Sequence, residues 1–230
     1  ELSSRKIKES IKTMKKIKTD LFKRGSEKDI AAILAKVSTA NLSDAMHRNG
    51  ALQGLQKITP GVKMYGKALT VRTYPGDWAK TVEAIDIAEP GQVIVIDAGG
   101  VGPAVWGELA THGAIQKKLA GVIIDGAIRD TAEIKTLHFP AYAKIISPVA
   151  GEPKGFGEIN VPVNISNTKI FSGDYIVGDD DGVIAIPAKK AVEIANRAMS
   201  VMETENRLRK EIDSGSTLSK VTELLRWEKK

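Results

Sequence analysis

The 230-residue sequence contains no cysteine, which excludes a disulfide framework and thiolate chemistry and makes a reducing compartment its natural setting. Aromatic residues are only 5%, too few to build stacking platforms for single-stranded nucleic acid. No apolar run approaches the ~20 residues that a membrane helix needs, and no signal-peptide core opens the sequence, so the expectation is a cytoplasmic protein without membrane contacts. Methionine is missing at position 1, where Glu1 stands; a tag scar, a trimmed end or excision from a longer fusion protein would each account for it.

Charge is present but uneven. The net charge of +6 sits largely in residues 1–25, where Ile7, Ile11, Met14, Ile17 and Leu21 recur at helical spacing between lysines. This predicts a basic amphipathic helical extension over 1–25. Packing on its own domain or on a neighbouring subunit suits it better than a nucleic-acid or membrane surface, because no aromatics accompany the charge. The expected organisation is that extension, one domain over 26–215 and a short helical tail over 216–230.

The most informative stretch is IVIDAGGVGPAVWGELATHGAIQKKLAGVIIDGAIRD, from Ile94 to Asp130. Val93 to Ile96 is a β-branched run of buried-strand type, and Asp97-Ala98-Gly99-Gly100 breaks it. Val105, Leu109, Ile115 and Leu119 recur roughly at helical spacing, predicting a helix from Ala104 to Leu119 that Gly121 ends. VIID then opens a second strand. The unit is βαβ, with parallel strands whose carboxyl ends, Asp97–Gly100 and Asp125–Asp130, are expected to share one pocket with the helix N-terminus. Such a terminus offers free N–H groups to an anion. Glu108, Arg129 and Asp130 are the candidate chemical groups; the plainer alternative is that Glu108 pairs with His112 and that Arg129-Asp130 only starts the helix Asp130–Leu137.

Elsewhere, Ser26 with Asp29 resembles a capping box for a helix through Val37, and Ser38 to Arg48 reads as a helix closed by Asn49-Gly50, its His47 a surface residue. VKMYGKALTVRTYP reads as a strand and Trp78 to Ala88 as a helix, the two expected to cover a sheet edge. Five short strand-like runs, AYAKII, VPVNI, TKIF, DYIVGD and GVIAIP, suggest a second, antiparallel or mixed layer. The acidic turn DDDG at 179–182 lacks the spacing of a calcium loop and reads as a hairpin turn. Lys144 reads as a snorkelling edge-strand residue in preference to a Schiff-base lysine. Pro187 opens a long helix with Ala191, Ile194, Ala198, Val201 and Leu208 as its apolar stripe, expected to project toward another subunit. Glu205 falls on the stripe and Glu203 off it; the plainer alternative for both is a solvated pair, with Arg209 and Arg207 respectively.

GELATHGAIQKKLAGVIIDGAIRD, followed by FPAYAK, VPVNI, FSGDYIVGDDDGVIAIP and the long terminal helix, resembles the RraA-like family over roughly Ile30 to Ser214. That family includes metal-dependent 4-hydroxy-4-methyl-2-oxoglutarate aldolases and the regulator of ribonuclease E activity. The resemblance implies a swivelling β/β/α domain, or α-β-β-α sandwich, with a long C-terminal helix, assembling as a homotrimer or homohexamer with sites between subunits. It implies a class II pyruvate aldolase with oxaloacetate decarboxylase side activity: Asp130 as ligand of Mg²⁺ or Mn²⁺, and Arg129 on the keto oxygen of a small 2-oxo acid. Glu108 would touch the metal through water, and Gly107, Leu109 and Ala110 would receive the carboxylate. Glu205, or alternatively Glu203, would come from the neighbouring subunit through water. Many relatives have Asp where Glu108 stands. Relatives acting only as protein regulators typically lose the aspartate that Asp130 retains, so catalysis is expected. The alternatives are a non-catalytic regulator of an RNA-processing partner and a domain of the kind fused behind a hexulose-phosphate synthase.

Overall fold

The computed structural model describes residues 27–222, so the expected basic extension and residues 223–230 lie outside it. Two helices come first, α1 (Glu27–Leu34) and α2 (Thr39–Ala45). Ser38 starts α2 with a reciprocal cap, its hydroxyl accepting from Asn41 N–H (3.0 Å) while its own N–H donates to the Asn41 side chain (3.2 Å). The helix stops at Ala45, short of the expected Arg48, because His47 and Arg48 adopt left-handed φ values of 56° and 64°.

The sheet elements follow with their connecting helices: β1 (Gln56–Lys57), β2 (Met64–Thr73), α3 (Ala79–Ile87), β3 (Val93–Asp97), β4 (Ala104–Trp106), α4 (Glu108–Gln116), β5 (Gly121–Ile128) and α5 (Thr131–Thr136). Then come β6 (Ala141–Ile146), β7 (Gly157–Ile159), β8 (Val163–Ile165), β9 (Thr168–Ile170), β10 (Tyr175–Asp179), β11 (Gly182–Ile186), α6 (Ala191–Asp213) and α7 (Leu218–Val221). The main sheet runs β1-β6-β5-β3-β2-β10-β11, with β4 on β5 and β7 on β2. Its centre, β2, β3, β5 and β6, is parallel, whereas β10 and β11 continue it antiparallel. Ala51 bridges Ile184 of β11 while the nearby β1 pairs with β6, so residues 51–57 nearly close the sheet on itself.

The apolar runs are continuous because both faces of the parallel centre are buried. In β3, Ile94 and Ile96 point to a cluster with Ile85 of α3, Ala114 of α4 and Ile134 of α5. Val93 and Val95 point the other way, to Ile123, Ile176 and the β8–β9 hairpin residues Val163, Ile165 and Ile170. A third cluster packs Leu34, Leu42, Ile194 and Ala198 on Val177 and Ile186 of the β10–β11 hairpin. The fold is thus mixed α/β with a long C-terminal helix, as the resemblance implies, and its sheet is nearly closed.

Four local expectations change. The segment Ala104–Trp106 is a strand, since Ala104 and Trp106 pair with Ala127 and Ile128 of β5; the helix begins only at Glu108, and it is Thr111 and Ala114, with Leu109 81% exposed, that it buries. The late strands β6, β10 and β11 join the first sheet, and only β8–β9 stands apart from it. Strand β2 lies mid-sheet between β3 and β10 and covers no edge. The first half of the α6 stripe, Ala191, Ile194 and Ala198, is buried against its own chain. DDDG forms the expected turn, joining β10 to β11, with Asp180 paired to Lys57 at 2.9 Å. Lys144 on β6 pairs with Asp125 at 3.2 Å.

Candidate active site

The site forms where β5 ends. Arg129 follows the strand, its N–H donating to Trp106 O (3.0 Å), and Asp130 turns the chain at φ 56° before α5. A non-glycine residue held in left-handed conformation is over-determined by its surroundings, a condition that concentrates at functional positions. Asp130 occupies the cap position of α5, yet its side chain makes no bond to that helix. It reaches back instead to the preceding helix, α4, where Oδ2 accepts from Glu108 N–H at 3.0 Å, with Arg129 Nε 3.4 Å away. A carboxylate at the N-terminus of α4 is favoured by the free N–H groups there.

Gly107 makes this closeness possible: a Cβ at that position would lie 2.5 Å from Asp130 Oδ2 and 3.1 Å from Arg129 Cγ. Leu109 and Ala110 supply the next N–H groups of α4, ahead of the first intrahelical bond, Thr111 N–H to Gly107 O (3.1 Å). Glu108 meets His112 Nε2 at 3.6 Å, so the plainer reading of that pair is realised without removing Glu108 from the site. Glu108, Leu109, Ala110, Arg129 and Asp130 all line one cleft of about 290 Å³. Expecting Gly107→Ala to displace Asp130, we anticipate a loss of activity on the order of 10²-fold, the effect of roughly 1 Å of misplacement, with an unchanged circular-dichroism spectrum.

Other expected residues lie elsewhere. The Asp97–Gly100 loop does not face the cleft: Ala98 and Gly100 N–H groups both donate to Asp125 O (3.0 Å), and Gly100 abuts Lys144. Strand β4 intervenes, and it was hidden in the sequence by its helix-like spacing. Glu203 and Glu205 on α6 do not line the cleft of their own chain, and Glu205 Oε2 accepts from Asn41 Nδ2 at 2.8 Å.

Two contributors escaped the sequence reading. Trp78 forms the wall of the cleft, its indole N–H donating to Gly151 O at 3.1 Å. Asp77, only 3% exposed, accepts from the backbone N–H groups of Ala79, Lys154, Gly155 and Phe156 at 2.7–3.3 Å. It thereby holds the strap 150–156 against the start of α3. An aspartate just before a helix could have signalled the Ala79 cap, but partners some 77 positions away leave no local trace.

Burial opposes ionisation of Asp77, yet the backbone donors prevail and hold its carboxyl below the usual carboxylate range. A depressed folded value means that the stabilisation is full above the ordinary pKa of 3.8 and lost as pH falls through the folded one. Amide protection factors at Lys154–Phe156, which remove the intrinsic pH dependence of exchange, are therefore expected to fall below about pH 4, and by more than those in β3. The Asp77→Ala variant, leaving these donors unsatisfied, should lose roughly 2–3 kcal/mol in denaturant unfolding.

A family model described as Aldolase/RraA matches residues 39–185, which contain the whole of this site. The chain belongs to the Aldolase/RraA family. Across 195 residues it is 38% identical to an uncharacterized protein of Methanocaldococcus jannaschii, covering 84% of this chain and 93% of that one. A Thermus thermophilus protein named 4-hydroxy-4-methyl-2-oxoglutarate aldolase is 29% identical over 151 residues, 65% of this chain and 92% of its own length. Among solved structures, the RNA-processing inhibitor RraA from Thermus superposes with a TM-score of 0.62 at 27% identity, covering 66% of this chain and 93% of that one. An Aldolase/RraA member can thus carry either name, and the site must distinguish them.

Among the described residues no group of three His, Asp or Glu side chains converges. Asp130 and Glu108 supply two carboxylates on one open cleft, however, and Mg²⁺ characteristically takes one or two carboxylates and keeps several waters. The donors are all oxygen, as a hard cation prefers, so the set fits Mg²⁺ or Mn²⁺.

Proposed function

We propose that this protein is a lyase of the class II aldolase type, cleaving 4-hydroxy-2-oxo acids to pyruvate. The observation that carries the reading is the 3.0 Å bond from Glu108 N–H to Asp130 Oδ2, which gathers Arg129, both carboxylates and the free start of α4 at one cleft. Asp130 would hold the Mg²⁺ or Mn²⁺ ion, with Glu108 reaching it through water. When bound, such a cation polarises the keto oxygen and offsets negative charge there.

The remaining work falls to the chain. Cleavage breaks the C3–C4 bond: the 4-hydroxyl proton leaves, that oxygen becomes a carbonyl, and the bond pair passes into the enolate of pyruvate, whose C3 is then protonated. Arg129 would donate to the keto oxygen as it gains charge, and the Leu109 and Ala110 N–H groups would hold the substrate carboxylate. Glu108 would accept the hydroxyl proton through water. The same arrangement suits the enolate left by oxaloacetate decarboxylation.

The test is pyruvate release, measured by coupled NADH oxidation, from 4-hydroxy-2-oxo acids and oxaloacetate with metal-stripped protein before and after Mg²⁺ or Mn²⁺ is restored. Metal-dependent release is expected, and its absence from every substrate overturns the reading. A regulator that binds an RNA-processing partner is the second reading, supported by the likeness to the inhibitor RraA; retention of Asp130 in a formed cleft favours the lyase.

The protein would assemble as a homotrimer or homohexamer in which Glu205 of a neighbouring copy, or else Glu203, would orient water at the metal. Asp130→Ala and Glu205→Ala chains, each nearly inactive alone, should regain activity when mixed and reassembled. Mixtures that exchange subunits and stay inactive would return Glu205 to its partner Asn41 and to solvent.

A further inference from the structure

Resting on the lyase reading, the cleft also bears on the portion of the substrate that departs. Beyond Glu108, Arg129 and Asp130, the residues lining it are uncharged, and Trp78, Val82, Ala104, Val105, Leu109 and Ala150 give it apolar side chains. Trp78 spends its only donor on Gly151 O, so it offers the cleft a hydrocarbon surface. The anion-holding groups form one locus: Arg129 Nε and the N-terminus of α4 both meet at Asp130 Oδ2. Once that locus holds the 2-oxo acid end, no further cation of this chain lines the cleft among the described residues.

The neighbouring cations are already engaged. Lys154, on the strap, lies 3.5 Å from Glu152, and Lys80, on α3 beside Val82, lies 2.7 Å from Glu83. A second carboxylate on the substrate would therefore lie against apolar side chains or face Glu108 with no cation of this chain to pair with, and a charge placed so gains nothing to offset the water it gives up. The volume of about 290 Å³ is at the small end for ligand sites.

We infer that this protein selects monocarboxylate 4-hydroxy-2-oxo acids bearing an uncharged, apolar distal group, and discriminates against the dicarboxylates for which its named relatives are called. Small alkyl or aryl aldehydes would be the products released beside pyruvate.

Two measurements test this. Calorimetric titration of the Mg²⁺-supplied protein should show 2-oxohexanoate binding at least about tenfold tighter than 2-oxoglutarate, and kcat/KM should favour 4-hydroxy-2-oxohexanoate over 4-hydroxy-2-oxoglutarate in the same sense. Val82→Lys, at a position 40% exposed on the cleft wall, should narrow both gaps by giving the second carboxylate a partner. Equal or tighter binding of 2-oxoglutarate, with pyruvate release intact, overturns the selectivity and leaves the lyase standing. If neither ligand binds and no substrate releases pyruvate, the lyase reading falls and this inference with it.

Discussion

Replacing Asp130 by Asn is expected to lower metal-dependent pyruvate release by on the order of 10³-fold and to weaken Mg²⁺ binding in calorimetric titration, while the fold is kept. Asn is the informative substitution because it tolerates the φ of 56° and retains an oxygen that can accept from Glu108 N–H. The backbone turn and the start of α4 therefore stay in place, and only the charge is removed. Asp130→Ala should be equally inactive, with an added small loss of stability from the left-handed alanine and the unpaired Glu108 N–H. Unchanged Mg²⁺ affinity in Asp130→Asn would remove Asp130 as the metal's holder, whatever the activity shows.

Arg129→Lys is expected to cost on the order of 10²-fold in kcat/KM, comparable to losing one oxyanion donor. The guanidinium is a planar fork whose Nε already faces Asp130 at 3.4 Å, which leaves its terminal nitrogens to hold substrate oxygens. An ammonium at this place is a point charge on a flexible stem, drawn to Asp130 and unable to span both. The variant's backbone bond to Trp106 O is unaffected, so folding should not confuse the result. Activity within about threefold of the parent would place Arg129 outside the transition state.

How far the sequence alone reached follows from which interactions are local. The parallel pairing of β3 with β5 was legible because uninterrupted β-branched runs bounded by glycine require burial on both faces. The DDDG hairpin was legible from its turn residues, and so were the α2 start at Ser38 and the long helix after Pro187. Glu108, Arg129 and Asp130 stood out by residue type and by their positions near a helix start and a strand end.

Tertiary structure decided the rest. Ala104–Trp106 has helix-like spacing but lies in the sheet, because its partners on β5 and the Ala104 bond to Val149 outweigh local preference. Whether late strands extend a sheet or start another depends on edges that no periodicity encodes, so the sequence suggests a separate layer where β10 and β11 in fact continue the main sheet. The first half of α6, whose stripe the sequence suggests for another subunit, is apolar for a partner within the chain, the β10–β11 hairpin. Most consequentially, residue type marks Asp130 as a candidate group, with the start of its own helix as the plainer alternative, but does not say which groups it meets. The observed bond spans 22 residues to Glu108, through a gap that Gly107 leaves open, and such a through-space contact has no signature along the chain.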